Sequence, residues 1–270
     1  MRILRLGPLF AFSLLLFSTT LSAQQSTAPS PPPRDTQAVS LLQSSLAALS
    51  GTTNVTDVTL NGSANWTAGS DNETGSATLK ATVIGQGRVD LSLSGGQRSE
   101  VIDISQTPPV GNWCGTDGVW HAMAAHNLFS DPSWFFPTFL ISRVLSGTNY
   151  AISPMDAETQ NGIAVEHIGI YQQPGYTDQG TPTIASLSQI DIYLNASTLL
   201  PVSISFNTHA DNNALLNIPI QIKFSNYQTV QGVSVPYHVQ KYIQNGLALD
   251  ITVTTVQLNS GLSASDFQAQ

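Results

Sequence analysis

Apolar residues fall at every second position through the last third of the chain. Ile190, Ile192 and Leu194 alternate with Asp191 and Tyr193, and Val202, Ile204 and Phe206 alternate with Ser203 and Ser205. Ile220, Ile222 and Phe224 enclose Gln221 and Lys223, and Leu247, Leu249, Ile251 and Val253 are separated by Ala248, Asp250 and Thr252. Side chains on a strand point alternately to two faces, so each run predicts a strand with one apolar and one polar side. Strands of this kind joined by short turns predict an antiparallel sheet whose apolar side looks onto a core or a cavity.

The first half carries the same rhythm. Val58, Leu60, Gly62, Ala64 and Trp66 share a face, a turn is expected over 68–75, and Leu79, Ala81 and Val83 resume the pattern. Gly85-Gln86-Gly87 turns the chain into Val89, Leu91 and Leu93, and Gly95-Gly96 opens a strand over 98–104. This reads as an antiparallel meander. Strand-like pieces recur at 150–155 and 163–171, followed by a Gly/Pro/Thr-rich loop over 172–183. The pattern predicts about a dozen strands and two or three helices.

Two segments break the alternation. Asp35 or Thr36 can cap a helix over 37–49, with Val39, Leu42, Leu46 and Leu49 on one face and Gly51 beyond its end. Thr107-Pro108-Pro109 starts a loop, Thr116-Asp117-Gly118 a turn ahead of Val119-Trp120-His121, and Asp131-Pro132 reads as an N-cap with a first-turn proline. Trp134, Phe135, Phe136, Phe139, Leu140, Ile141, Val144 and Leu145 then form the most hydrophobic stretch outside the leader. Pro137 must begin that helix or kink it, and a short helix apolar nearly all round is usually buried.

Arg2 and Arg5 precede an apolar run from Leu6 to Phe17, and Leu21-Ser22-Ala23 offers a small-residue cleavage site. Residues 1–23 are therefore expected to be a signal peptide, residues 24–34 a disordered proline-rich linker, and residues 35–270 a single domain. No cysteine follows the leader to carry a lipid anchor, and no later run is long enough to span a bilayer. A periplasmic or secreted location is expected. The formal charge of −8 becomes −10 without the two leader arginines, which repels phosphate backbones and argues against nucleic-acid binding.

Cys114 is the only cysteine, so no intrachain disulfide can form. Its commonest role is that of a small buried hydrophobe. His121 and His126 lie five apart, a poor fit to one helical face, and no metal-ligand spacing, G-x-S-x-G elbow or cofactor fingerprint occurs. A Cys114 thiol activated by His121 or His126 is the only enzyme reading with named residues. Asp117 and Asp131 sit where turns and caps call for Asp. Asn54, Asn61, Asn65, Asn72 and Asn195 head glycosylation sequons, which arise by chance in a chain so rich in Asn, Ser and Thr. No cofactor and no metal is expected.

The order of elements resembles the bacterial lipoprotein-carrier superfamily, the LolA/LolB-like proteins, over residues 36–267. The Asp-Gly turn before an aromatic strand (Thr116 to Trp120) is similar to theirs. So is the stretch from Asp191 to Pro201, which resembles a D-x-x-T-x-L-P strand turn. Phe224-Ser225-Asn226-Tyr227 followed by Gly232-Val233-Ser234-Val235-Pro236 resembles a "tyrosine, then Gly-x-x-Pro" strand pair, and Leu258-Asn259 with Phe267 the closing segment. The resemblance implies a mainly β (α+β) fold: a curved antiparallel sheet forming an unclosed half-barrel, lidded or plugged by helices, whose concave face receives acyl chains. It also implies an arginine holding the lid closed, for which Arg88 and Arg98 are the candidates.

On that reading the chain is a non-enzymatic binder or carrier of a lipophilic ligand, an acyl chain or the lipid part of a lipoprotein. Leu79, Val89, Leu91, Trp120, Trp134, Phe135, Phe139 and Leu140 are expected to line or lid the cavity. The competing reading is an envelope structural or interaction module with a filled core, no ligand, and envelope proteins as partners.

Overall fold

The computed structural model describes residues 30–173 and 181–270, so the expected signal peptide and residues 24–29 of the expected linker lie outside the described residues. Six strands come first: β1 (Asp57–Ala68), β2 (Asp71–Thr82), β3 (Gln86–Leu93), β4 (Gly96–Asp103), β5 (Val110–Cys114) and β6 (Trp120–Ala122). After an irregular crossing come β7 (Tyr150–Pro154), β8 (Glu158–Gln160), β9 (Ile163–Gln172), β10 (Ile190–Asn195), β11 (Pro201–Ala210), β12 (Asn213–Val230), β13 (Val233–Ile243) and β14 (Gly246–Leu258). The helices are α1 (Thr36–Ser50), α2 (Pro137–Ser146) and α3 (Thr181–Leu187).

All fourteen strands belong to one sheet, ordered β6-β5-β4-β3-β2-β1-β14-β13-β12-β11-β10-β9-β7, with β8 pairing off β9. Two meanders are thus joined by pairing the first strand with the last, β1 against β14. Gly62 sits at the irregularity in that seam, where a side chain would collide with the Thr252 carbonyl. β6 and β7 remain unpaired edges, so the curved sheet is an unclosed half-barrel with helices in its concavity.

Sequence periodicity explains these elements. Asp35 caps α1, its carboxylate accepting from the Gln37 and Ala38 amides, and Gly51 ends the helix at positive φ. Leu42, Leu49 and Ala38 of α1 are fully buried, as are Val233 and Val235 of β13. Of the two outcomes expected at Pro137, the structure shows the first: α2 begins there, and Asp131 caps the preceding turn through Ser133. Gly87 lets Pro132 of that turn rest directly on β3, where a Cβ would meet the Pro132 carbonyl at 2.2 Å. The linker ends sooner than its composition predicts, since Ile152 bonds Pro33 and Asp35 by backbone. Arg34 in turn donates to the carbonyls of Val144, Leu145 and Gly147 at the end of α2.

Candidate functional site

The concave face divides into two halves. In one, α1 and α2 pack on each other and against the sheet, and Phe135, Phe136, Phe139, Leu140 and Ile141 meet Leu60, Leu79 and Ile168 in a closed core. Phe136 and Phe139 make an edge-to-face pair with centroids 4.8 Å apart. In the other half no helix among the described residues covers the sheet, and a cavity of about 370 Å³ opens there. Trp66, Val89, Leu91, Trp134 and Leu249 give it apolar walls, with Arg98, Glu100 and Lys241 among its polar groups. Trp134 is the partition: it lies buried against Phe135 on one side and borders the cavity on the other.

A second, smaller compartment of about 170 Å³ adjoins the first. Glu100, Trp113, Trp134, Lys241 and Ile243 border both compartments and form the neck between them. The smaller one is more polar, with Asn127, Ser130, Thr208 and Asp211 in its walls.

Strand register shows how charge enters the neck. Trp66, Leu249, Lys241, Ile222, Ile204 and Ile192 stand opposite one another across six neighbouring strands, so they share one face. Lys241 interrupts this otherwise apolar row, its ammonium 4.9 Å above the Trp134 ring. Leu60, Leu79, Val89, Glu100 and Trp113 form a matching row, interrupted by Glu100. Arg98 also points inward but is spoken for: it donates to both Glu73 carboxylate oxygens at 2.8 Å and lies 4.1 Å over Trp66. Those bonds hold the Glu73 carboxyl below its ordinary range.

The polar compartment is roofed by residues 123–130, a strap running from β6 to the far end of β11. β10 begins opposite Phe206, so the β11 backbone beyond it lacks a strand neighbour on that side, while β12 continues on the other. Asn127 takes that place: its amide donates to the His209 carbonyl, and its oxygen accepts from the His209 amide and the Thr208 hydroxyl. The His126 ring bonds the Ala210 carbonyl and stacks on His209. Burial, together with His126, lowers the pKa of His209, whose Nδ1 has no partner among the described residues.

The turn before α2 is fixed by an ion pair between Asp131 and Arg143. Burial works against the guanidinium's charge, but Asp131 outweighs it and raises the Arg143 pKa. This is the arginine that clamps α2. Arg88, by contrast, lies on the convex face with Asp90 and the C-terminal Gln268 carbonyl, and Arg98 belongs to the cavity wall.

Of the eight residues expected to line or lid the cavity, the structure brings together Val89, Leu91 and Trp134. Leu79, Phe135 and Leu140 lie in the packed half; Phe139 does too, and it borders a separate pocket of about 320 Å³ between α1, α2 and residues 51–55. Trp120 stands opposite Cys114 in the β5–β6 pair, 5.9 Å from the Arg88 guanidinium, and is not among these wall residues. Alternation alone does not say which face of β6 is concave. Sequence reasoning missed Trp66, Trp113, Glu100 and Lys241 as cavity groups. A signal existed for the last two, since each is charged at a position in phase with its strand's inward apolar residues. Cys114 is half-buried at the cavity edge rather than in the core. His121 stacks on Trp113 and His126, within the strap, bonds the Ala210 carbonyl, and no group of His, Cys, Asp or Glu among the described residues is arranged to hold a metal.

No family model matches the chain, and no curated protein matches it. Solved structures do. A domain described as that of an outer membrane lipoprotein-sorting protein from Vibrio parahaemolyticus superposes with a TM-score of 0.54 at 14% identity, covering 86% of this chain and 96% of that one. A DUF1329 family protein from Desulfovibrio piger gives 0.51 at 12% identity, with coverage of 86% and 96%. A LolA superfamily protein from Nitrosomonas europaea aligns over 86% and 97% at 10% identity, with a TM-score of 0.42. The fold is shared with the Vibrio and Desulfovibrio structures, and at these identities the likeness extends to the fold alone. No helix among the described residues is long and apolar enough to cross a membrane.

Proposed function

We propose that this protein is an exported, non-enzymatic binder or carrier of a lipophilic ligand, held in the open half of the concave face. One observation carries the reading: a cavity of about 370 Å³ with largely apolar walls lies on the concave face beside a buried apolar core. The name of the Vibrio domain, lipoprotein sorting, agrees with it. The leader, the lack of a cysteine behind it and the acidic charge support a periplasmic or secreted location.

The energetics are adequate. At about 30 Å³ per methylene, taken from the similar volume share of a water, the cavity holds on the order of a dozen carbons. Burial at about 0.8 kcal/mol each gives roughly 10 kcal/mol. Association costs at least about 4 kcal/mol, which leaves sub-millimolar binding from the tail alone. Polar contacts at the neck must supply anything tighter.

A fluorescent hexadecanoate titrated into the purified full chain tests the proposal. Saturable binding at one per chain, abolished by filling the cavity with Ala248→Trp, is expected. Binding unchanged by that substitution would exclude this cavity. The filled-core interaction module is favoured only by the packed half, and it predicts no binding in either protein.

A further inference from the structure

Resting on the carrier reading, we infer that the ligand is a single-chain amphiphile with a zwitterionic head, its tail in the larger compartment and its head at the neck between Glu100 and Lys241. Three observations converge on this. The first is volume. The larger compartment, about 370 Å³, is filled by one alkyl chain of moderate length, and the adjoining 170 Å³ is too small for a second.

The second is what the smaller side adds. Val89, Leu91, Leu249 and Trp66 line the larger side, and the smaller one sets Asn127, Ser130, Thr208 and Asp211 among Ile102, Met123, Phe206 and Ile220. A polar head finds hydrogen-bonding partners there, which an alkane alone would bury without compensation. The third is the pair of charges at the junction. Glu100 stands on β4 and Lys241 on β13, strands separated by β3, β2, β1 and β14, yet both border the neck. Neither has an ion-pair or hydrogen-bond partner among the described residues, Lys241 having only the Trp134 ring.

A half-buried charge inside an apolar row disfavours folding unless something compensates it. Arg98, on the same face, shows the ordinary solution, since Glu73 neutralises it completely. Glu100 and Lys241 are left one acid and one base on facing walls. Lys241 suits a phosphate or carboxylate of the head, and Glu100 suits an ammonium, which the Trp113 face beside it also favours. The other acid near the neck, Asp131, is taken by Arg143, and Asp211 lies exposed at the rim.

Calorimetry on the full chain with four sixteen-carbon probes below micelle formation tests this: palmitoyl lysophosphatidylethanolamine, palmitate, hexadecylammonium and hexadecanol. The zwitterion should bind one per chain, about tenfold tighter than hexadecanol, with the singly charged probes between. Lys241→Gln should bring the zwitterion to the level of hexadecylammonium, and Glu100→Gln to that of palmitate, each leaving hexadecanol unchanged. The charge exchange Glu100→Lys with Lys241→Glu should keep the zwitterion preference, and thermal melts confirm that the variants fold. Any other order of the four probes, or indifference to both single substitutions, overturns the head assignment while leaving the carrier reading intact. One-to-one uptake of dipalmitoyl phosphatidylethanolamine as tight as that of its single-chain counterpart overturns the single-chain limit. Failure of every probe, hexadecanol included, overturns the carrier reading and this inference with it.

Discussion

The two halves of the concave face are built from the same strands yet are finished differently. Where α1 and α2 enter, phenylalanine and leucine side chains bury themselves against the sheet, and two helices and the sheet share one apolar core. Past Trp134 the same inward rows continue, but tryptophan, glutamate, arginine and lysine replace aliphatic residues and a cavity remains. The packed half carries the buried apolar contacts of two helices and the sheet, whereas the open half keeps space on the same sheet. Stability and binding should therefore respond to different substitutions.

The largest effect should come from the packed half. Phe139→Ala removes a fully buried ring and is expected to cost about 3–5 kcal/mol, read as a lower denaturant midpoint. It is a poor probe of binding for that reason. Arg143→Met strands the buried Asp131 carboxylate and should cost about 3 kcal/mol; the double variant with Asp131→Leu should recover most of it. If the single variant is neutral, α2 is not clamped by this pair.

The strap gives a pH-dependent difference between the halves. Because its folded pKa is lowered, His209 contributes stability that is complete above its unfolded pKa, about 6.5. That contribution is lost as the pH falls below this value. Amide exchange at residues 123–130 should accelerate below about pH 6.5 while the packed half stays protected. His209→Gln should flatten that profile. The smallest expected effect lies on the convex face. Lys80, bonded to Asp266, holds that carboxyl at about 2. Its contribution is complete above the ordinary carboxylate pKa of about 4 and is lost as the pH falls through about 2. Lys80→Ala should cost under about 1 kcal/mol, seen as fraying of the turn at Ala264–Phe267.

Much of the fold was legible because strand alternation is a local signal. Ile190 to Leu194 and Leu249 to Val253 place themselves, and Asp35 and Gly51 bound α1 by capping chemistry alone. The loop expected over 172–183 gives way to α3 at its last three residues, because the Thr-Pro-Thr start of the helix carries turn signals as strongly as helical ones. The site was less legible. Phe135, Phe139 and Leu140 are as apolar as any cavity lining, and only tertiary packing decides that they fill a core. Lys241 and Glu100 look like ordinary strand charges until register with Leu249 and Val89 shows which way they face. The Asn127 strap is invisible in sequence because it fills a strand edge left by the unequal lengths of β10 and β11.

The claim that the open half is a binding site is tested most directly by native mass spectrometry of the protein purified from its own cells, before and after organic extraction. The account predicts one lipophilic molecule per chain, released by solvent and absent from Ala248→Trp. A bare protein mass that stays bare after incubation with single-chain amphiphiles would contradict it.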